Sequence, residues 1–536
     1  MKIFSNFILG AVLYVFLWSC MGSSDSIITS SAEDGDSEFP IGVSPWKDPK
    51  SFVSLNPNPY NDNPYKLNVI YFVPNDLDTI PDYRKRISKI MLFAQNMFGI
   101  GRKYYGFGGN SSFSMEMMPN SSEYVKIITL RGKNPKSYYP ATGEGGNRMN
   151  DEVKQYFAQN PGEKKSDHNF IITPSYYSDD IGGPPFHGGT KLAFGLDYPG
   201  QDISQLGEVD HATLWIGGLI HELGHGLNAP HNKELKREAE FLGTAMMRAG
   251  NGTLGKSPTY ITKSTSGLLS ASQVFSKEVR NDWYEDFDFE LKQLKGKLVG
   301  NNIVISGKYT SSKPIKVVNV LHDPDGSEDY DSVGFISTLD DNGNFTANCP
   351  LKDFHVLQGN YQLRLEFYAV NGVRKIYNTD YSFDKGIPRI ESINTRDLIG
   401  STDWKVIEVS SDNGSSANNL VDGKAFTIWH TRWSTGPYDP FPHHFIVDMA
   451  KQTDISGFAF YNRDDTNGAM KDIEIFKSNN GSWVSIGTFN LQKQKYWRYI
   501  DLPEKHNMRY VKVVIKSAYI PDPGHPYTHL GEFGAF

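Results

Sequence analysis

At about Phe287 the hydrophobic periodicity of this chain changes, and that change sets what it can fold into. Before it, helical and strand spacings alternate. "KLNVIYFV" (66–73) reads as a strand stopped by Pro74. Between 81 and 98 the apolar residues Ile87, Ile90, Met91, Ala94, Met97 and Phe98 recur at helical spacing. "YVKIITLRG" (124–132) and "HNFIITPSY" (168–176) are further strands, with "NDEVKQYFAQN" (150–160) a short helix between them. "GTKLAFGLDYPG" (189–200) reads as an edge strand, followed by a helix through "HELGH". The order β-α-β-α-β-β-α predicts a twisted sheet backed by helices.

After Phe287 strand spacing stands alone. In "NYQLRLEFYAVNGVRKIY" (360–377), Tyr361, Leu363, Leu365 and Phe367 share one face and Gln362, Arg364, Glu366 and Tyr368 the other. Asn371 and Gly372 are the residue types of a type I′ hairpin turn. A small Ig-like β-sandwich is predicted, ending near Pro388; it shows no cluster of chemistry and reads as a spacer. A third strand-rich unit runs from about Ser392 to Phe536. The 536 residues match this division, since roughly 150 residues per domain gives about three or four domains.

The formal net charge is -7, from 54 basic and 61 acidic residues without a Lys/Arg block, so nucleic-acid binding has no electrostatic footprint. At the N-terminus Lys2 precedes the apolar run "IFSNFILGAVLYVFL" (3–17) and then "LWSC", ending at Cys20. A spanning helix needs about 20 apolar residues, and this run is shorter. The segment resembles a bacterial lipobox through Leu17, Ser19 and Cys20, although Trp18 is bulkier than usual for its position. The resemblance implies a signal peptide over 1–19, lipidation of Cys20 and a lipid anchor to the membrane. It places the protein outside the cytoplasm, as an outer-membrane lipoprotein at the cell surface. The acidic stretch 20–45 reads as a tether. With Cys20 lipidated, Cys349 is left alone and no disulfide forms.

"HELGHGLNAPH" (221–231) carries the chemistry. Ile216, Leu219, Ile220, Leu223 and Leu227 form an apolar stripe, so the segment is helical. His221 and His225 are four apart and project from one side, within reach of one ion about 2.0–2.1 Å from each nitrogen. Glu222 is rotated about 100° from His221 and can lean over the ion without binding it. Zinc hydrolysis needs this division: protein ligands, a zinc-bound water as nucleophile, and a carboxylate as general base. The pentapeptide alone arises by chance, and two histidines on a helix are often structural. His231 changes the weight. With 14 histidines in 536 residues, chance places one there about once in 38. To bring His231 back, the helix must stop sharply, commonly at a residue with positive φ. Asn228 stands there, the usual substitute for glycine, and Pro230 stiffens the approach.

This pattern resembles the metzincins, zinc endopeptidases with H-E-x-x-H-x-x-G-x-x-H. His221, Glu222, His225 and His231 match; Asn228 departs. The resemblance implies an α/β catalytic domain over 46–285, zinc on the three histidines, Glu222 as base, and a methionine turn beneath the metal. Met247 in "GTAMMRAGNG" fits that turn better than Met246, although core packing is the plainer role for either. It also implies a substrate laid as an extended strand along a sheet edge, here within 189–200. An alternative ligand set replaces His231 with Glu238 or Glu240.

"STDWKVIEVSSDN", "NNLVDGKAFTIWHTRW", "PHHFIVDM", "ISGFAFYNRDD", "RYVKVVIKSAY" and "LGEFGAF" follow in order through 391–536. They resemble the discoidin, or coagulation-factor type C, family. That implies an all-β galactose-binding-like sandwich that serves as a carbohydrate-binding module. It also implies a calcium ion held by Asp422, Thr427 and Glu532. Trp429, His430 and Trp433 are a candidate glycan cluster, although "IWHTRW" is largely scaffold in that family; Arg463 and Asp464 occupy a turn that similar domains use for ligand. The whole reads as a multidomain chain: peptidase, β-sandwich spacer (286–390) and glycan-binding module. The expected activity is zinc-dependent endopeptidase cleavage of proteins, glycoproteins above all. The alternative is a surface glycan-binding lipoprotein whose peptidase-like domain is inactive.

Overall fold

The computed structural model describes residues 63–107, 112–176, 184–325, 329–424, 427–434, 436–463 and 465–536. Cys20, the signal peptide, the tether and the glycan candidate Asp464 lie outside the described residues.

The first part is a five-stranded sheet flanked by helices. β1 (Asn68–Val73), α1 (Tyr83–Tyr104), β2 (Ile127–Arg131), α2 (Gly143–Gln159), β3 (Asn169–Pro174), β4 (His187–Gly189), β5 (Leu192–Asp197) and α3 (Asp210–Gly226) follow in chain order. The sheet order is β2-β1-β3-β5-β4, parallel except for β4. The unbroken apolar run of β1 has a simple cause: both faces of the sheet are covered. Val69, Tyr71 and Val73 join α1 and α3 in the main core, while Ile70 and Phe72 meet Met149, Val153 and Phe157 of α2. Ile216, Leu219, Ile220, Leu223 and Leu227 of the α3 stripe are all in that main core.

One expectation is corrected here. The stretch 189–200 is the sheet edge only in part: β4 covers β5 at Leu192, Ala193 and Phe194, while among the described residues Gly195, Leu196 and Asp197 pair with β3 alone. Over that first half the edge is β4, three residues that run antiparallel to β5 and lie against α3. A Cβ on Gly188 would stand 2.4 Å from the His225 Cβ and 2.5 Å from the Glu222 carbonyl oxygen. Only glycine lets the strand approach the helix so closely. Two glycines in three residues carry no strand signature, so the sequence hid this edge.

Two parallel bridges, β6 (Thr244–Ala245) and β7 (Thr259–Tyr260), lie beyond α3. The second part is a two-sheet sandwich of β8 (Phe289–Val299), β9 (Asn302–Ser311), β10 (Ile315–Pro324), β11 (Val333–Ile336), β12 (Thr338–Leu339), β13 (Asn344–Pro350), β14 (Gly359–Ala369), β15 (Arg374–Asp384) and β16 (Ile387–Pro388). The sheets are ordered β11-β10-β14-β15-β16 and β12-β13-β9-β8. Tyr361, Leu363, Leu365 and Phe367 fill its core, and Cys349 is buried there as a free thiol.

The other face of β14 does not look out to solvent. Tyr368 and Val317 join the core of the first part, and the Ser264 hydroxyl donates to Asn319 Oδ1 at 2.8 Å. The sandwich is therefore docked on the first part along its length, which corrects the reading of it as a spacer. The hairpin turn is also corrected. Ala369 N–H donates to the Val373 carbonyl, so the loop has three residues, with Gly372 alone at positive φ (83°). Asn371 is fully buried and its amide donates to the carbonyls of Asp282 and Glu285, both at 2.9 Å. A tertiary anchor took the residue that local turn chemistry assigned to φ > 0.

The third part is a β-sandwich with its own core, from Trp404 to Ala535. Strands Lys405–Val409, His443–Asn462, Tyr496–Ile515, Asp472–Ser478 and Val484–Asn490 lie side by side in that order. The chain as a whole is multidomain and rich in β-structure.

Candidate active site

Helix α3 presents His221 and His225 one turn apart, and the chain after it returns His231 to the same point. The three Nε2 atoms stand 3.0, 3.2 and 3.3 Å from one another. Among the described residues this is the one cluster of three or more His, Cys, Asp or Glu side chains that converges as metal ligands do. His221 Nδ1 lies 2.9 Å from the Met246 carbonyl and His225 Nδ1 lies 2.8 Å from that of Ala229. A carbonyl only accepts, so each Nδ1 carries the proton and each Nε2 presents a lone pair. Lone pairs that converge so closely repel unless a cation sits between them. Donors about 2.0–2.1 Å from a tetrahedral ion are about 3.3–3.4 Å apart, close to the spacing seen. Burial holds all three imidazoles neutral, His225 down to about 4 and His231 to about 3, with the neighbouring histidines adding to it for those two. Neutral imidazole is the metal-binding form. The residues present thus fit a zinc ion.

Asn228 has φ of 79°. The Asn228 N–H donates to the His225 carbonyl at 2.8 Å and the Ala229 N–H to that of Gly224 at 3.0 Å. These two bonds are the Schellman helix ending, with Asn228 in its left-handed position. The turn does two things for the site. It sends Pro230 and His231 back toward the helix, and it aims the Ala229 carbonyl at His225. Asn228→Gly is expected to be nearly neutral in chemical denaturation. Asn228→Val should cost about 1–2 kcal/mol and weaken zinc affinity in parallel. Equal behaviour of the two variants would remove the pivot role from Asn228.

Met247 lies directly under α3. A Cβ on Gly224 would meet its sulfur at 2.3 Å, so the glycine makes room for the thioether. Met246, the residue set aside on sequence, contributes its carbonyl to His221. Glu222 is outside the ligand triangle; burial pushes its carboxyl up to about 7, opposed by the Gly188 N–H of the edge strand. The alternative ligands are placed elsewhere. Glu238 is buried and accepts from Tyr105 (2.9 Å) and Tyr260 (2.7 Å), and Glu240 is exposed; neither joins the cluster.

The sandwich adds a residue that the sequence did not single out. The Tyr330 ring stacks on His231, with centroids 3.8 Å apart and planes 26° off parallel. Nothing local marks it, since it lies 99 residues from its partner in another part of the fold.

In the third part the candidates separate. Trp429 is wholly buried, and its indole donates to the Ser411 carbonyl at 3.1 Å; it is core, which corrects its assignment to glycan. His430 is nearly covered, with its ring 5.5 Å from Tyr527 and 5.7 Å from Trp433. Trp433 is 50% exposed. Arg463 lies near enough for its charge to act on His430, Tyr527 and His529. Tyr527 was not picked out by the sequence reading. Thr427 Oγ1 reaches both Asp422 oxygens (3.0 and 2.9 Å), and the Gly423 N–H donates to Glu532 Oε1 at 3.2 Å. Among the described residues Glu532 Oε2 is buried without a hydrogen-bond partner, and burial with Asp422 nearby pushes the carboxyl up to about 7. An orphaned carboxylate oxygen facing a second carboxylate suits a cation.

The fold and site define a β-rich protein of three parts, with a histidine triad formed by a sheet-backed helix and the turn that follows it. Residues 405–533 match the F5/8 type C domain, so the C-terminal part is a domain of that family. The crystal structure of wild-type OgpA from Akkermansia muciniphila is 32% identical, with a TM-score of 0.58 over 62% of this chain and 97% of that one. The chain belongs to the same family as OgpA. A catalytically inactive OgpA in complex with an O-glycopeptide (glycodrosocin) substrate gives 31% identity and a TM-score of 0.59, over 62% of this chain and 96% of that one. A sialidase of Micromonospora viridifaciens is 31% identical over 132 residues, which is 23% of this chain and 19% of the sialidase. The chain thus spans about a fifth of the length of that curated relative.

Proposed function

We propose that this protein is a zinc endopeptidase of metzincin type that cleaves O-glycosylated proteins. The observation that carries the reading is the triangle of three Nε2 atoms, with Glu222 on the helix that bears two of them. Kinship with OgpA, crystallised with an O-glycopeptide substrate, supports the substrate class. His221, His225 and His231 would hold the zinc, which supplies a Lewis acid that polarises a carbonyl and lowers the pKa of water. Glu222 would take a proton from the attacking water at its carboxylate and hand it to the leaving amine nitrogen. The free side of β4 would align the substrate as an added strand. The Cys20 lipid anchor and a place on the outer cell surface belong to the same proposal, as do the boundaries at 285 and 390.

The C-terminal domain would hold glycan through Trp433, Tyr527, His430 and Arg463, with calcium between Asp422, Thr427 and Glu532. Its affinity is expected to be weak. Its use is to raise the local concentration of a large substrate near His221. The test is digestion of a mucin-type glycoprotein before and after enzymatic deglycosylation, with fragments mapped by mass spectrometry. Equal or absent cleavage of both forms would defeat the glycoprotein reading. The core of this domain is its own, so deleting 391–536 should spare cleavage of a short glycopeptide and slow that of the whole glycoprotein. Loss of short-peptide cleavage in a truncated chain that still binds zinc would instead make the domain part of the active site.

A further inference from the structure

Two segments beyond α3 complete the histidine triangle, and a third, from the sandwich, meets both. The segment 230–234 carries His231. The segment 245–248 carries the Met246 carbonyl that faces His221 Nδ1. They are bonded to each other: the Asn232 N–H reaches the Met247 carbonyl at 3.4 Å, and the Ala245 N–H donates to Glu234 Oε2 at 3.0 Å. The loop between β10 and β11 closes on them from the sandwich. The Lys233 N–H donates to the Ser332 carbonyl at 2.7 Å, and Lys233 and Val333 form a parallel bridge.

Asp331, in the same loop, touches both segments with one atom. Its Oδ1 accepts from Lys233 Nζ at 2.9 Å and from Arg248 Nε at 3.2 Å, and lies 3.1 Å from Arg248 Nη2. Lys233 is two residues beyond His231, and Arg248 two beyond Met246. Burial alone would raise the Asp331 carboxyl, but the two cations hold it below its ordinary value, so it is ionised at neutral pH. Without that carboxylate, two like charges would face each other at the join and push the segments apart.

The Arg248 and Asp331 side chains are 32% and 37% exposed, and ion pairs so open to water add little to folding stability. A metal site is less forgiving, because groups that orient its ligands set how well the donors converge. The loss of Asp331 should therefore be felt at the metal more than in the fold.

We propose that Asp331 is a positioning residue for the metal centre: its carboxylate clamps the segment that bears His231 to the segment whose carbonyl orients His221. The inference rests on the zinc reading above. It makes the sandwich part of the metal centre, although the sandwich supplies no ligand to it.

The test measures zinc affinity of the full chain by competition with a chromophoric chelator, and reads the cobalt form by its visible absorption. Asp331→Ala should weaken zinc about tenfold and alter the cobalt bands, with thermal unfolding of the metal-free chain nearly unchanged. Asp331→Asn keeps the shape without the charge and should shift zinc in the same direction, which decides the matter if the alanine variant does not fold. Arg248→Met should weaken zinc in the parent but add little to Asp331→Ala, since its partner is already gone. Arg237→Gln is the contrast. Arg237, on α4 (Lys236–Phe241), also joins the two parts, reaching the covered Asp353 at 2.8 Å. Its loss strands a buried carboxylate, so it should lower the melting temperature more than Asp331→Ala does, yet leave zinc within about twofold. Parent-like zinc affinity and cobalt bands in both Asp331 variants would overturn the clamp. So would an equal loss of zinc in Arg237→Gln, which would make Asp331 one docking contact among others. A parent that holds no zinc defeats the clamp together with the zinc reading. A parent whose zinc depends on Asp331 but which cleaves no glycopeptide leaves the clamp standing and refutes the activity.

Discussion

Glu222→Gln is expected to keep the metal and slow peptide cleavage by roughly 10²–10⁴-fold. Gln has the shape of Glu and the same half-buried position open to it between α3 and the edge strand. What it lacks is a basic oxygen to take up a proton. Because Glu222 lies outside the triangle of Nε2 atoms, its replacement leaves the three donors untouched. Two measurements on one sample make the prediction sharp: zinc per chain by elemental analysis, and initial rate on a glycopeptide. Parent-like zinc with a slow rate is the expected pair. A parent-like rate would show that another group moves the proton. Loss of zinc with loss of rate would make Glu222 a ligand, contrary to its place in the fold.

The second large effect is on the metal itself. His231→Ala should reduce zinc after dialysis from about one per chain to well below one, and cleavage should fall with it. The two remaining histidines cannot close a site by themselves. Glu238→Ala is the contrast. It leaves the hydroxyls of Tyr105 and Tyr260 without their acceptor in the core, so stability should drop by about 1–3 kcal/mol while zinc stays. Glu238→Gln keeps an acceptor there and should soften that loss. Undiminished zinc in His231→Ala with loss in Glu238→Ala would replace the ligand set with the one built on Glu238.

Much of the centre was legible because it is local. His221, Glu222 and His225 lie within one helical turn and a residue, and the 3.6-residue period alone puts the two imidazoles on one side. The stop at Asn228 was legible for the same reason. Few side chains tolerate φ of 79°, so an asparagine at that spacing announces a turn. The apolar stripe of α3 told which side of the helix would be buried. In the C-terminal domain the order of aromatic segments marked the family over nearly its whole length.

The rest depended on chain segments far apart in sequence. Trp429 and Trp433 look alike in "IWHTRW", yet strand pairing buries the first and exposes the second. The edge strand was hidden because close approach to α3 demanded glycine, which has no strand signature. Met246 was set aside although its backbone, not its side chain, serves His221. Gln362, Arg364 and Glu366 read as the polar face of a spacer, since alternation tells which residues share a face but not what that face meets. By itself the sequence determined the triad, the turn that closes it and the class of the last domain, all set by covalent spacing and backbone sterics. Tertiary structure alone decided that Tyr330 lies on His231, that Glu238 is out of reach, and that a loop of the sandwich meets the segment bearing His231. Those outcomes follow from how the sandwich and the first part pack together, and that packing is governed by shape and burial across a hundred residues rather than by any local period.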